Sequence, residues 1–356
     1  MCADRVAVPA RRRPPARGLS LVELMIGLVI GLLVSLAALS SLRVFGNGQR
    51  QAAVAGGGLL STAAALGAIR NEVAAAGLGF FDGRQPLCSQ LNLSIGNALV
   101  SDGAAFAPLA VTRSNGNDRL DVVYADDVAA GANLPLASAS TTTSVEVLST
   151  LPVAAGQAVL LAPAATGLCT VRTVTGVTAG TVDTPQVLAL ANTGNHNKAA
   201  FASLPAYPAT TGRITLLGTL RWQRYRVVDG NLVLEQPLAG TSAVLVRNVI
   251  GLRVEYGVSS AAGNPTLADW RDATDSGWSS LTAANIGQVR ALRLGLLVRS
   301  PQREKADAGG NCLASEAKPT LFGETIEPDV SDWRCFRYRS STLVVPLRNL
   351  VWGQLP

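Results

Sequence analysis

The stretch GLSLVELMIGLVIGLLVSLAALSSL, residues 18–42, carries one charge, Glu23. From Leu24 to Leu42 nineteen residues pass without another. As a helix rising 1.5 Å per residue they span about 28 Å, close to the hydrocarbon thickness of a bilayer. This predicts an apolar helix whose part over 24–42 crosses a membrane. A carboxylate inside such a span costs about 3 kcal/mol on insertion scales, which makes Glu23 a functional candidate. Ahead of the run lies a basic leader, residues 1–18, with Arg5, Arg11, Arg12, Arg13 and Arg17 against Asp4. A secretory signal has a shorter apolar core followed by a small-residue cleavage site. A plain signal anchor explains the length and the basic flank but not the acid.

The helix is expected to continue to residue 79, because no proline occurs between Pro15 and Pro86. Leu59, Ala63, Leu66, Ile69, Val73 and Ala76 recur at steps of three and four, an amphipathic stripe. Gly46, Gly48 and Gly56-Gly57-Gly58 weaken the middle by up to about 1 kcal/mol each, so a bend or local melting is expected there. Gly77 and Gly79 mark the end. Gly27, Gly31 and Ser35 fall on one face at steps of four, the pattern that lets helices approach closely.

The 356-residue chain has a formal charge of +6. The leader holds +4 of this, leaving +2, so charge gives no strong nucleic-acid signal. The leader's arginines suit a cytoplasmic flank. Beyond Cys2 the cysteines are Cys88, Cys169, Cys312 and Cys335, an even set with no CxxC pair. Four cysteines allow three connectivities; sequence proximity favours Cys312–Cys335, which leaves Cys88–Cys169. With His196 as the sole histidine, disulfides are a better reading than zinc.

From residue 80 to 356 a β-rich head is expected. Short strands are predicted at 120–124, 145–148, 159–161 and 170–175, with loops over 126–144 and 192–208. Asp229-Gly230 between 219–228 and 231–235 is a two-residue hairpin signal. Further strands are expected within 244–258, 289–298 and 342–347. The fold class is thus α+β: a long N-terminal helix packed on an antiparallel β-sheet or sandwich-like head.

Gly18, Leu19 and Glu23 fall on the glycine, first mature residue and fifth-position glutamate of the prepilin signal, and the N-terminus resembles that family. The resemblance implies that a prepilin peptidase cuts between Gly18 and Leu19 and that the new amino terminus at Leu19 is methylated. Residues 69–79 resemble the helix end of PilW-type minor pilins. The segments 225–232 and 249–256 are similar to a hairpin and strand shared with J-type pseudopilins of type II secretion. Residues 289–294 and 345–350 resemble PilW closing strands, and residues 80–210 match neither. The length of that unmatched part fits the pilus protein better than the shorter pseudopilins. By resemblance the chain would be a minor pilin that primes type IV pilus assembly, supporting pilus display, twitching motility and cell adhesion. Its partners would be other minor pilins, the major pilin, the prepilin peptidase, the inner membrane and the inner-membrane assembly platform. Its location would be the inner membrane, as a single-pass protein with the head in the periplasm, and then the pilus fibre or tip. A J-type pseudopilin, a tip adhesin or DNA-binding module, and a membrane-anchored enzyme stay open as alternatives.

No catalytic set is legible. His196 lies in a Thr-Gly-Asn-His-Asn loop, is expected at the surface, and has no nucleophile-elbow motif near it. No cofactor is implied. Asp269, Asp272 and Asp275 offer oxygen ligands, but not with the spacing of an EF-hand loop. They, and the oxygen-rich Asn115, Asn117 and Asp118, are expected to be solvated turns. Glu23 needs a cationic partner in any apolar layer. Within one helix or between neighbours, the amino terminus at Leu19 is the nearest candidate.

Overall fold

A computed structural model describes residues 21–82, 85–126, 133–307 and 309–349; the side chains of 23–24, 37–59 and 82 lie outside the description. Helix α1, Leu21–Ala75, is 55 residues long. It runs unbroken through the glycines at 46, 48 and 56–58, where a bend or melting was expected. Glycine forfeits side-chain packing and entropy, but it still donates and accepts in the helical ladder. By its contacts the chain divides between Gly56 and Gly57.

No helix among the described residues is long and apolar enough to cross a membrane. The expected transmembrane part at 24–42 is corrected accordingly. The single-pass inner-membrane placement goes with it. The α+β class stands.

After Ala75 the chain turns through Gly77 and Gly79, both at positive φ. A Cβ on Gly79 would lie 2.7 Å from Leu217 Cδ2, so only glycine passes there. The strands that follow form two main groups. A five-stranded antiparallel sheet has the order Thr241–Arg247, Asn231–Gln236, Leu220–Val228, Asn117–Ala125, Leu109–Ser114. The Asp229-Gly230 turn has φ of 48° and 69°, the left-handed pair that a two-residue hairpin needs. A four-stranded antiparallel sheet follows, in the order Asp269–Asp272, Val249–Val258, Val289–Arg299, Tyr338–Pro346.

The second group is a six-stranded sheet: Ala98–Ala105, Cys88–Ile95, Gly167–Thr173, Ala158–Ala162, Arg213–Gly218, Leu134–Pro135. It is mixed rather than antiparallel, because Gly167–Thr173 runs parallel to Cys88–Ile95. Parallel neighbours need a long crossover, and the more than seventy residues between these strands supply it. Cys88 and Cys169 form a disulfide across this pair, closing a sequence separation of 81. A three-stranded sheet of Gly176–Thr178, Gln186–Ala189 and Ser144–Val147 completes the group.

The largest core lies where α1 meets the five- and four-stranded sheets. Ala65, Leu66, Ile69, Val73 and Ala76 of the helix pack with Leu120, Val122, Tyr225, Leu252, Val254 and Leu292. The buried stripe also contains Thr62, whereas Ala63, placed in it from sequence, is exposed. A second core, with Phe80, Leu91, Leu93, Val123 and Leu217, joins the six- and five-stranded sheets. A third, with Leu136, Val145, Leu188 and Ile214, joins the six- and three-stranded ones.

Candidate functional site

Gly18 and Leu19 lie outside the described residues, as does the side chain of Glu23. What is described of the first helical turns is a bare apolar surface. Leu21 is 78% exposed, Met25 61%, Leu28 64% and Leu36 56%. Gly27 and Gly31 have nothing within 4 Å of a Cβ built on them. The Ser35 hydroxyl donates to the Gly31 carbonyl at 2.7 Å, which satisfies it inside its own helix. The small-residue face is therefore apolar along its length and uncovered among the described residues.

The last turns of α1 are held by polar contacts as well as by the core. Tyr225 donates its hydroxyl to the Glu72 carboxylate. Burial raises the Glu72 pKa, opposed by that hydrogen bond and by the Arg221 charge. Burial, then Glu72 itself, pushes the Tyr225 phenol up. Asn349 Nδ2 donates to the carbonyls of Ala74 at 3.3 Å and Ala76 at 3.4 Å, satisfying groups that a helix end leaves unpaired. Gly77 N donates to Val123 O and Ala125 N to Leu78 O, both at 3.0 Å, so the exit from the helix is pinned to the five-stranded sheet.

The three aspartates weighed as calcium ligands do not converge. Asp269 pairs with Arg271 at 2.8 Å, Asp272 pairs with Arg113, and an Asp275 oxygen accepts from the Asp272 amide at 3.1 Å. No group of three or more acidic, cysteine or histidine side chains suited to a metal occurs among the described residues. In the other oxygen-rich loop Asn115 is an exposed turn residue, as expected, but Asn117 and Asp118 are not solvated. Asp118 is 1% exposed; it accepts from Arg113 Nε and from Val254 N, each at 2.7 Å. Asn117 Oδ1 accepts from Leu252 N at 2.8 Å. These two side chains hydrogen-bond the backbone of Val249–Val258 where Asp269–Asp272 does not pair with it, and so fasten the two sheets together.

Around them runs a chain of charges that sequence reading missed. Arg113 reaches Asp118, Asp272 and Glu324, and Arg253 Nε meets Glu324 at 2.6 Å. Burial works against the Arg113 charge, but the hydrogen bond and charge of Asp118, then Asp272 and Glu324, raise its pKa overall. Arg293, paired with Glu255, lies between the rings of Trp270 and Phe322, 4.6 and 4.3 Å from their centroids. One signal was available: Arg293 and Glu255 fall opposite each other once the two strands are aligned.

His196 sits in the expected loop but is only 8% exposed. Its Nδ1 contacts the Ser94 carbonyl at 2.7 Å, so that nitrogen carries the proton, and its backbone N–H reaches Thr173 Oγ1 at 2.9 Å. Burial lowers its pKa, against that backbone hydrogen bond. The ring fastens the loop to the six-stranded sheet. The unfolded chain takes up a proton near pH 6.5 that the fold resists, so this contribution to stability is present above 6.5 and lost as pH falls below it. We expect urea midpoints to decline from pH 7 to pH 5 in the native chain and to decline less in His196→Gln, measured by tryptophan fluorescence.

Two family models match. One, described as Type IV Pilus-assembly protein W, covers residues 218–349. The other, the prokaryotic N-terminal methylation motif, covers residues 13–39. Among solved structures, the type IV-like pilin TTHA1219 from Thermus thermophilus is 10% identical, with 82% of this chain and 95% of that chain covered and a TM-score of 0.34. No curated protein matches. The chain is type IV pilus-related and pilin-like. The first match begins at Gly218, just ahead of the strand leading into the Asp229-Gly230 hairpin, and ends at Asn349, the residue that caps α1.

Proposed function

We propose that this chain is a PilW-type minor pilin that helps initiate type IV pilus assembly, and so supports pilus display, twitching motility and adhesion. It acts by packing beside other subunits and performs no chemistry of its own. The observation that carries this reading is the two-part character of α1. The face carrying Ala65, Leu66, Ile69, Val73 and Ala76 is buried against a head whose closing sheets match the pilus-assembly family, while the described large side chains over 25–36 are apolar and bare. A bare apolar helix face with close-approach positions at Gly27 and Gly31 suits the helices of other minor pilins and of the major pilin. Glu23 then supplies register: its carboxylate is neutralised by the amino terminus that the prepilin peptidase frees at Leu19, within the subunit or on a neighbour. Methylation at Leu19 leaves that cation in place.

The test is mass spectrometry of sheared pili from strains carrying Glu23→Ala or Gly18→Ala. Glu23→Ala is expected to be processed and methylated at Leu19, yet incorporated at least about tenfold less, since 1.4 kcal/mol of lost pairing suffices for that. Gly18→Ala is expected to remain unprocessed. Normal incorporation of Glu23→Ala would show that charge pairing does not set the register.

A further inference from the structure

A sheet edge presents a row of unpaired backbone donors and acceptors, and folded proteins blunt it by shortness, bulges, charge or cover. Most edges of this head are blunted in one of these ways. Leu134–Pro135 and Gly176–Thr178 are short. Asp269–Asp272 has four residues, three of them charged. Ala98–Ala105 and Thr241–Arg247 pair with shifts in register. Leu109–Ser114 is covered by the four-stranded sheet, whose Tyr256 hydroxyl accepts from Val111 N at 2.7 Å. Tyr338–Pro346 is long, without a bulge and, among the described residues, uncovered. All nine of its residues pair in unbroken register with 291–299 on one side. On the other side its backbone has no hydrogen-bond partner among the described residues from 339 to 345. Arg339 is its only charge.

We propose that this edge pairs with the same strand of a second copy of the chain, antiparallel about a two-fold axis at Thr342, joining two four-stranded sheets into one of eight strands. The sequence is complementary to itself in that register. Thr342 meets Thr342, Ser341 meets Leu343 and Ser340 meets Val344, which is 51% exposed in the single chain. Arg339 falls opposite Val345. The two arginines are six residue steps apart, about 20 Å, well beyond the screening length of about 8 Å at physiological salt. Pro346, which has no N–H to give, falls at the rim opposite Tyr338. Identical strands therefore meet in this register without opposed like charges, which would be destabilising. This pairing uses the head alone and is separate from helix packing along α1.

Site-directed cross-linking of the full-length chain tests it. In a Cys2→Ser background the native cysteines of the head are paired, so an engineered thiol is the reactive one. Thr342→Cys is expected to give a disulfide-linked dimer on mild oxidation, because residues on the axis bring their Cβ atoms within about 5.5 Å. Ser340→Cys and Val344→Cys are each expected to link at least about fivefold less alone, and efficiently when the two variants are mixed. All three positions are exposed, so the fold tolerates them. Absence of a Thr342→Cys dimer overturns the proposal, as residues 350–356 or a different protein lying along the edge would produce. Equal linking at all three positions also overturns it, since that is the mark of random encounter or of contact through α1.

Discussion

Replacing Cys88 and Cys169 together by serine is expected to remove about 4 kcal/mol of stability from the head, the larger of two disulfide effects. The bond closes a separation of 81 residues, against 23 for Cys312–Cys335. In the chain-entropy account these correspond to about 4.5 and about 3.4 kcal/mol, and native disulfides in secreted domains are worth about 2–5 kcal/mol on removal. Cys88 and Cys169 are also 3% and 0% exposed within the core between the six- and five-stranded sheets, so serine would bury polar hydroxyls there. Denaturant unfolding followed by circular dichroism would read the loss as a drop in midpoint, with a steeper slope because the unfolded chain loses its cross-link. A double variant within about 1 kcal/mol of the native chain would mean that packing alone aligns the parallel strands.

The second large effect is expected at Asp118. Asp118→Ala would leave the Val254 N–H and the Arg113 guanidinium without their shared acceptor, in a place where Asp118 itself is 1% exposed. Removing one partner of a buried pair costs about 3–5 kcal/mol, more than the pair contributes against an apolar replacement. Asp118→Asn keeps an oxygen for one of the two donors and is expected to lose less than half as much. Asp269→Ala, at the exposed end of the same region, is expected to stay within about 0.5 kcal/mol. Thermal unfolding of the three variants side by side separates a fastening role from a general effect of lost acids.

Elements whose signal is local were legible in the sequence. The Asp229-Gly230 turn, the helical steps through Leu66, Ile69, Val73 and Ala76, and the strands around 120–124, 145–148 and 159–161 each follow from a few adjacent residues. The apolar run after Glu23 overstated its case, because a count of uncharged residues does not by itself make a span. The parallel pairing of Gly167–Thr173 with Cys88–Ile95 depends on residues far apart in the chain, and no local pattern announces it. The same holds for polar side chains. Asp118 and His196 look like loop residues because their neighbours are Asn, Gly and Thr, yet each is buried by a strand more than a hundred residues away. Burial of a polar group is decided by its partner, which composition leaves out.

The excursion between Ala125 and Leu220 leaves and returns at one doorway. Ala125 pairs with Leu220, and Asp126 N donates to Thr219 O at 2.9 Å. Close beside that doorway Gly79 meets Leu217, and the helix exit bonds to Val123 and Ala125. A pull transmitted from residues 65–76 to the closing strand Tyr338–Pro346 therefore runs through the two antiparallel sheets that share the helix core, bypassing the residues looped out between 126 and 219. Tension on a subunit would load the doorway bonds, while the residues between 126 and 219 are held from the side by the Cys88–Cys169 bond and the pairing with Cys88–Ile95.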